Sequence, residues 1–296
     1  MNNYISRILS ANWYPDICKT PDDYKVLAKH LHPDISPDAD AIRAFTHLNQ
    51  LKNDFNKGYE FRDESGEYRS NYLEHKWMGD KKLLRASKTN YDKILFAAKS
   101  NFDAKAFEHF MRYMPSNLDF EGDELRYRSS RKCIPLSKVI QLLPEENKDK
   151  HINWIYSRMI EFVSMLEALE ITHAGLNPDA VFVVPEIHAI KVVSFYHACA
   201  GKIKTINGKY KNYYPPQLFD TKEAGPYVDI RLIKKTAICA MGDISGSGVR
   251  LRSDKNVNQN VLDYLLTPET EAFRAMRQWR EILDKNYIKE FVNLEI

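Results

Sequence analysis

Two amphipathic helical patterns meet at His32-Pro33-Asp34, and this junction confines the start of the chain to helices that fold back on each other. Before it, Tyr24, Leu27, Ala28 and Leu31 recur at spacings of three and four, so one helix face is apolar. Lys25, Lys29 and His30 lie off that face and make the other side basic. Pro33 stops the helix, because the residue before a proline is pushed out of the helical region. A second pattern follows Pro37, through Ala41, Ile42, Phe45, Leu48, Leu51, Lys52 and Phe55. A shorter apolar pattern, Tyr4, Ile5, Ile8 and Leu9, comes first. Taken alone the tripeptide is ordinary turn chemistry, with Pro fixing φ and Asp free to cap the next helix.

Set between two amphipathic helices, one of them lysine-bearing, the tripeptide resembles the J-domain of DnaJ-type co-chaperones over residues 4 to 57. That resemblance implies a DnaK-type heat-shock chaperone as partner. It also implies His32, Pro33, Asp34, Lys25 and Lys29 as the chaperone-binding surface. The segment from Asn12 to Thr20, with Trp13, Tyr14 and Pro15, makes an unusual first loop.

The 43 Lys and Arg nearly balance 40 Asp and Glu, which gives no argument for nucleic-acid or membrane binding. The N-terminus has no long apolar run, so no signal peptide is expected, and no window approaches the length that spans a bilayer. Cys18, Cys133, Cys199 and Cys239 lack metal-ligand spacing. They read as buried or free thiols in a reducing cytoplasm, and no metal or cofactor is expected.

Asn56-Lys57-Gly58 punctuates the chain. Beyond it, strands are expected at Tyr59 and Phe61, a hairpin turn at Asp63-Glu64-Ser65-Gly66, then Tyr68. Leu73 to Trp77, Lys82 to Ala86 and Tyr91 to Ala97 are further strand candidates. Asp103 to Met114 returns to helical spacing, and Leu118 to Phe120 and Glu124 to Arg128 are short strands. Ile152 to Leu169 is a long amphipathic helix. A loop, His173 to Asp179, and two strands, Val181 to Val184 and Ala189 to Tyr196, come next. Tyr227 to Ile233 opens a helix, and Leu262 to Leu266 and Thr270 to Phe291 close the chain as helices. The expected organisation is residues 1–57, 58–150 and 151–296.

From residue 59 onward this order resembles the protein-kinase fold, a small lobe of strands plus a helix followed by a helical lobe. His173-Ala174-Gly175-Leu176-Asn177-Pro178-Asp179-Ala180 looks like a catalytic loop, Val192 to Tyr196 like the strand carrying Asp-Phe-Gly, and Tyr214-Pro215-Pro216-Gln217 like the end of an activation segment. Asp229 matches the aspartate that opens the following helix. The fold class is therefore α+β, an N-terminal helical J-domain hairpin followed by a two-lobed protein-kinase-like fold.

Phosphoryl transfer in such a fold needs a base-position aspartate, metal-binding asparagine and aspartate, and a strand lysine on the phosphates. In this chain the corresponding positions are degenerate. The base position is Gly175, the asparagine position Ala180 and the metal aspartate Ser194. The strand lysine aligns with Phe96, or with Lys93 if the register slips, and Gly79 is the one glycine of the phosphate-covering loop. Glu108 is the candidate helix partner of the missing lysine, with a solvent-facing role as its alternative. His173 keeps a structural position and reads as a hydrogen-bonded core histidine. Asn177 and Asp179 could act after a local shift, but Asn177-Pro178-Asp179 is also turn chemistry. Ser245-Gly246-Ser247-Gly248 opens no phosphate loop and reads as a flexible surface loop. The resemblances together imply a co-chaperone with an inactive kinase-like scaffold for an unknown client. The alternative is a divergent nucleotide-binding or phosphotransfer enzyme with an appended interaction domain.

Overall fold

The structure, a computed structural model, describes residues 3–11, 13–63, 66–288, 292–294 and 296. It divides into two compact units, Met1–Glu60 with Arg69–Tyr72, and Phe61–Tyr68 with Leu73–Ile296.

The first unit holds α1 (Asn3–Ser10), a 3-10 turn (Tyr14–Asp16), α2 (Pro21–Leu31) and α3 (Ala39–Lys57). Thr20 starts α2 through a capping box: its hydroxyl accepts from the Asp23 amide at 3.2 Å while Asp23 accepts from the Thr20 amide at 2.8 Å. Pro21 occupies the first helical position, where a missing N–H costs nothing. Asp38 caps α3. The helices run antiparallel, since Tyr24 near the start of α2 donates to Asn49 at 2.7 Å and lies under Lys52, whereas His32 at its end meets Phe45. Ile5, Ile8, Leu31, Ala41, Ala44, Leu48 and Leu51 form the core. The unusual first loop has a packing role. Tyr14 is buried, with its ring 5.5 Å from that of Phe55, and Trp13 meets the same phenylalanine edge-on. Gly58 ends α3 in a left-handed conformation (φ 57°), where a Cβ would lie 1.9 Å from the Ser70 carbonyl oxygen, so no other residue fits.

β1 (Tyr59–Asp63) and β2 (Gly66–Ser70) have residues in both units, and β3 (Glu74–Gly79), α4 (Lys81–Asn101) and α5 (Ala104–Met111) follow in the second. Next come β4 (Leu118–Glu121) and β5 (Glu124–Arg128), which complete a sheet of order β1-β2-β3-β5-β4. The helical part follows, with β6 (Ile134–Pro135), α6 (Leu136–Leu142), α7 (Lys148–Ala168), β7 (Val181–Val184), β8 (Ala189–Val192) and α8 (Leu218–Thr221). It ends with α9 (Pro226–Ala240), α10 (Gln259–Leu266) and α11 (Ala272–Asn286). β6, β7 and β8 form a small antiparallel sheet. α9 is apolar on nearly every side, which places it at the centre of the helical lobe. Trp279 of α11 is buried beside Tyr156 and Tyr264 and donates to Ser157 at 2.8 Å.

Residues 82–86 and 91–97 are not strands but parts of the single helix α4. Its buried positions, Leu84, Ser87, Tyr91, Ile94 and Ala98, recur at three and four, and Asp80 caps it through the amides of Lys82 and Leu83. Gly79 ends β3 rather than lying between β1 and β2. In the expected β1–β2 turn, Glu64 and Ser65 lie outside the described residues, as do residues 289–291 of the expected last helix. The Ser245-Gly246-Ser247-Gly248 loop is held rather than flexible. Asp243 accepts from the Ser245 hydroxyl at 2.6 Å, the Ser247 hydroxyl at 2.9 Å and the Gly248 amide at 2.8 Å. Among the described residues, no helix is long and apolar enough to cross a membrane.

Candidate functional site

In the first unit His32, Pro33 and Asp34 are all exposed at the turn that ends α2. The carbonyl of His32 accepts from the amides of Ile35 (2.8 Å) and Ser36 (2.9 Å), which closes the turn. His32 Nδ1 lies 3.3 Å from the Asp34 amide and 3.5 Å from its carboxylate. It can accept from the first or donate to the second, but not both at once. Lys25 and Lys29 are exposed on the face of α2 away from the core, and Lys25 bonds to Asp22 at 2.7 Å. All five residues are exposed.

In the second unit the loop between α7 and β7 is built around Asp229, at the start of α9. Its carboxylate is buried and accepts from the amides of His173 (2.7 Å) and Ala174 (2.8 Å). Burial pushes its pKa up to about 7 against the pull of those two bonds. Ala174 sits in the left-handed region (φ 54°), held there by the Asp229 bond and by the Tyr214 hydroxyl, which donates to its carbonyl at 2.7 Å. Asn177 makes the expected turn, donating to the Gly175 carbonyl at 2.9 Å and accepting from the amides of Asp179 and Ala180.

Asp179 goes beyond turn chemistry. It is 3% exposed and takes the Lys209 ammonium at 2.5 Å and the Tyr210 hydroxyl at 2.8 Å. At Gly175 a Cβ would approach the His197 ring to 3.1 Å, and that imidazole also bonds to Thr205. Ala180 lies just before β7 and Ser194 just after β8, and there the Val193 amide donates to the Ala180 carbonyl at 3.2 Å. Among the described residues no cluster of three or more His, Cys, Asp or Glu is arranged to hold a metal.

Three expectations change. Phe96 is 75% exposed on α4, so it is not a strand position facing a cleft. The strand before the long helix is β3, whose Lys76 alternates with buried His75 and Trp77 and therefore lies on the opposite sheet face. Glu108 is exposed on α5 and partners no strand lysine among the described residues, which leaves its solvent-facing role. His173 is buried, yet neither ring nitrogen makes a hydrogen bond among the described residues. Burial holds its pKa down to about 3, with the neighbouring Ser194 backbone opposing too weakly to prevent it.

A feature not anticipated from the sequence fills the space between the large sheet and β7. Tyr68, His75, Trp77, Tyr127 and Phe182 are each at most 3% exposed and pack ring on ring. The Tyr68 hydroxyl and His75 Nδ1 share a hydrogen bond at 2.8 Å, and the imidazole stacks on Tyr127 at 5.2 Å. Phe182 stands edge-on to Tyr68 at 5.6 Å and to His75 at 5.3 Å. Beside them Tyr91 of α4, Phe195 and His173 form a second line of rings at 5.2 and 5.6 Å.

No family model matches the sequence, and no curated protein matches it. Among solved structures the chain is similar to a rhoptry kinase from Toxoplasma gondii. The TM-score is 0.53 and the identity 13%, over 75% of this chain and 73% of that one. At that identity the likeness is one of fold. The antiparallel sheet and the helical lobe form a protein-kinase-like fold.

Proposed function

We propose that this chain is a J-domain co-chaperone that engages a DnaK-type heat-shock chaperone, and that its kinase-like unit is a catalytically inactive scaffold that recruits a protein client. The observation that carries the first half is the exposed His32-Pro33-Asp34 turn at the end of a helix whose open face bears Lys25 and Lys29. Such a face steers toward an acidic patch, so the engagement weakens with salt. The test is ATP hydrolysis by a purified DnaK-type chaperone, with the full chain or its His32→Gln variant added. The variant is expected to lose stimulation and keep its melting temperature, since the His32 side chain is 48% exposed. Equal stimulation by both proteins would sink the co-chaperone mechanism.

Inactivity of the kinase-like unit is supported by Gly175, Ala180 and Ser194, which supply neither a base nor carboxylate ligands for Mg²⁺. Loss of a single charge-stabilising donor typically costs about 3 kcal/mol of barrier. Phe182, Tyr68 and His75 are packed and buried between the large sheet and β7, which leaves no open cleft at that place. The competing reading, a divergent nucleotide-binding or phosphotransfer enzyme, draws on Asp179 and Lys209. That carboxylate is already committed to Lys209 and Tyr210, which makes it a poor proton acceptor. Transfer of the γ-phosphate from ATP by purified protein, abolished by Asp179→Ala and untouched by His32→Gln, would favour the enzyme instead.

A further inference from the structure

We propose that a pocket between α9 and the α10–α11 connection binds an oxyanion, a phosphate or a carboxylate, through Arg231. The pocket holds about 140 Å³, room enough for one such group. Arg231, Lys234 and Lys235 all line it, one turn apart on α9.

The three cations differ in what already satisfies them. Lys234 is 3% exposed and donates to the carbonyls of Tyr264 (2.9 Å) and Thr267 (2.7 Å). Lys235 donates to the Gly246 carbonyl at 2.5 Å. Those acceptors are neutral, so both ammonium charges remain. Arg231 is half-buried, and its Nε–H is shut away from water without an acceptor among the described residues. Burial pulls its pKa down and no carboxylate opposes that shift, while its charge in turn lowers that of Lys235. Two acids stand nearby and neither serves Arg231. Glu269 is bound by Arg274 and by the amides of Thr270 and Glu271. Asp243 is taken up by its serine-glycine loop.

A desolvated guanidinium beside two like charges is costly unless an anion meets it. Its planar fork suits the two oxygens of a carboxylate or phosphate. The site is independent of the chaperone surface, so loss of one function leaves the other readable.

The test uses the full chain and thermal unfolding, titrated with inorganic phosphate, with acetate, and with chloride at matched ionic strength. A saturable rise in melting temperature with phosphate, absent with chloride, is expected. Acetate distinguishes a carboxylate-reading site from a phosphate-reading one. Arg231→Gln is expected to weaken phosphate binding about tenfold or more, the scale of a charge-assisted bond. Lys235→Gln should weaken it less, and this variant decides the matter if Arg231→Gln does not fold. No anion response beyond chloride, or an affinity unchanged in the variant that folds, overturns the proposal.

Discussion

Replacing Phe182 by alanine tests whether the space between the large sheet and β7 is a packed core or an open cleft. The ring is wholly buried and meets Tyr68 and His75 edge-on. Removing a buried phenylalanine costs about 3–5 kcal/mol in transfer and cavity terms. Each edge-to-face pair carries about 0.5–1.5 kcal/mol beyond area burial, already contained in that range. Phe182 lies on β7, the central strand of its sheet, with neighbours on both sides, so little collapse into the hole is expected. A loss of about 4 kcal/mol follows, and a fall in melting temperature of about 8–16 °C for a unit of this size. Urea unfolding followed by near-ultraviolet circular dichroism reads the stacked rings directly. Indole, soaked into the variant, should restore part of the loss, because an apolar cavity stays dry and accepts an apolar guest. The parent should show no response to indole or to ATP with Mg²⁺. A loss below about 1 kcal/mol, less than such a cavity costs, or stabilisation of the parent by ATP, would refute the packed-core argument.

Stability should rise with pH below neutrality. His75 and His173 are held down to about 3 by burial, so from there up to the ordinary 6.5 the unfolded chain binds two protons that the native chain does not, a gain of about 1.4 kcal/mol per pH unit for each. Asp229, pushed up to about 7, runs the other way from 3.8, which leaves a net rise worth about one histidine between pH 4 and 6.5. Urea midpoints that stay level or fall between pH 5 and 6.5 would contradict this. Asp179→Ala should cost about 1–3 kcal/mol by leaving the buried Tyr210 hydroxyl without its acceptor. It should leave chaperone stimulation unchanged, and a chaperone ATPase assay alongside thermal unfolding checks both halves.

Most of the helices were legible in the sequence because their buried faces are apolar at every turn, as in α3, α7 and α9. α4 was not. Its buried face passes through Ser87, and Lys88-Thr89-Asn90 interrupts the apolar residues, so the two halves read as short strands. That misreading moved the strand lysine onto Phe96 and the helix glutamate onto Glu108. The kinase-like order still emerged, because α7, the loop and the β7–β8 hairpin follow one another without a gap. The ring cluster was hidden for a different reason. Its members come from β2, β3, β5 and β7: strand pairing brings Tyr68, His75 and Tyr127 together, and packing against the second sheet adds Phe182. The same holds for Lys209, which is 30 residues from the Asp179 carboxylate it neutralises.

The polar groups that this unit keeps and those it lacks divide by what they hold. Asp229 remains, and it grips two backbone amides that fix Ala174 in a conformation costly for a residue with a side chain. Tyr214 grips the carbonyl of the same residue. Asn90 of α4 donates to the carbonyls of Phe195 and Tyr196, tying the helix to the segment after β8. Each of these bonds serves the backbone and has the same worth whether or not a nucleotide ever enters. By contrast Gly175, Ala180 and Ser194, which the sequence resemblance sets where side chains would face a substrate or a metal, carry hydrogen, methyl and hydroxyl. Under the proposed scaffold role, that contrast is what selection for a rigid surface without phosphoryl transfer would leave. Histidine shows the same division. His173 keeps its place in the ring line with Phe195, buried and neutral, although its nitrogens bond to nothing among the described residues. Its ring, rather than its proton chemistry, is what this fold retains.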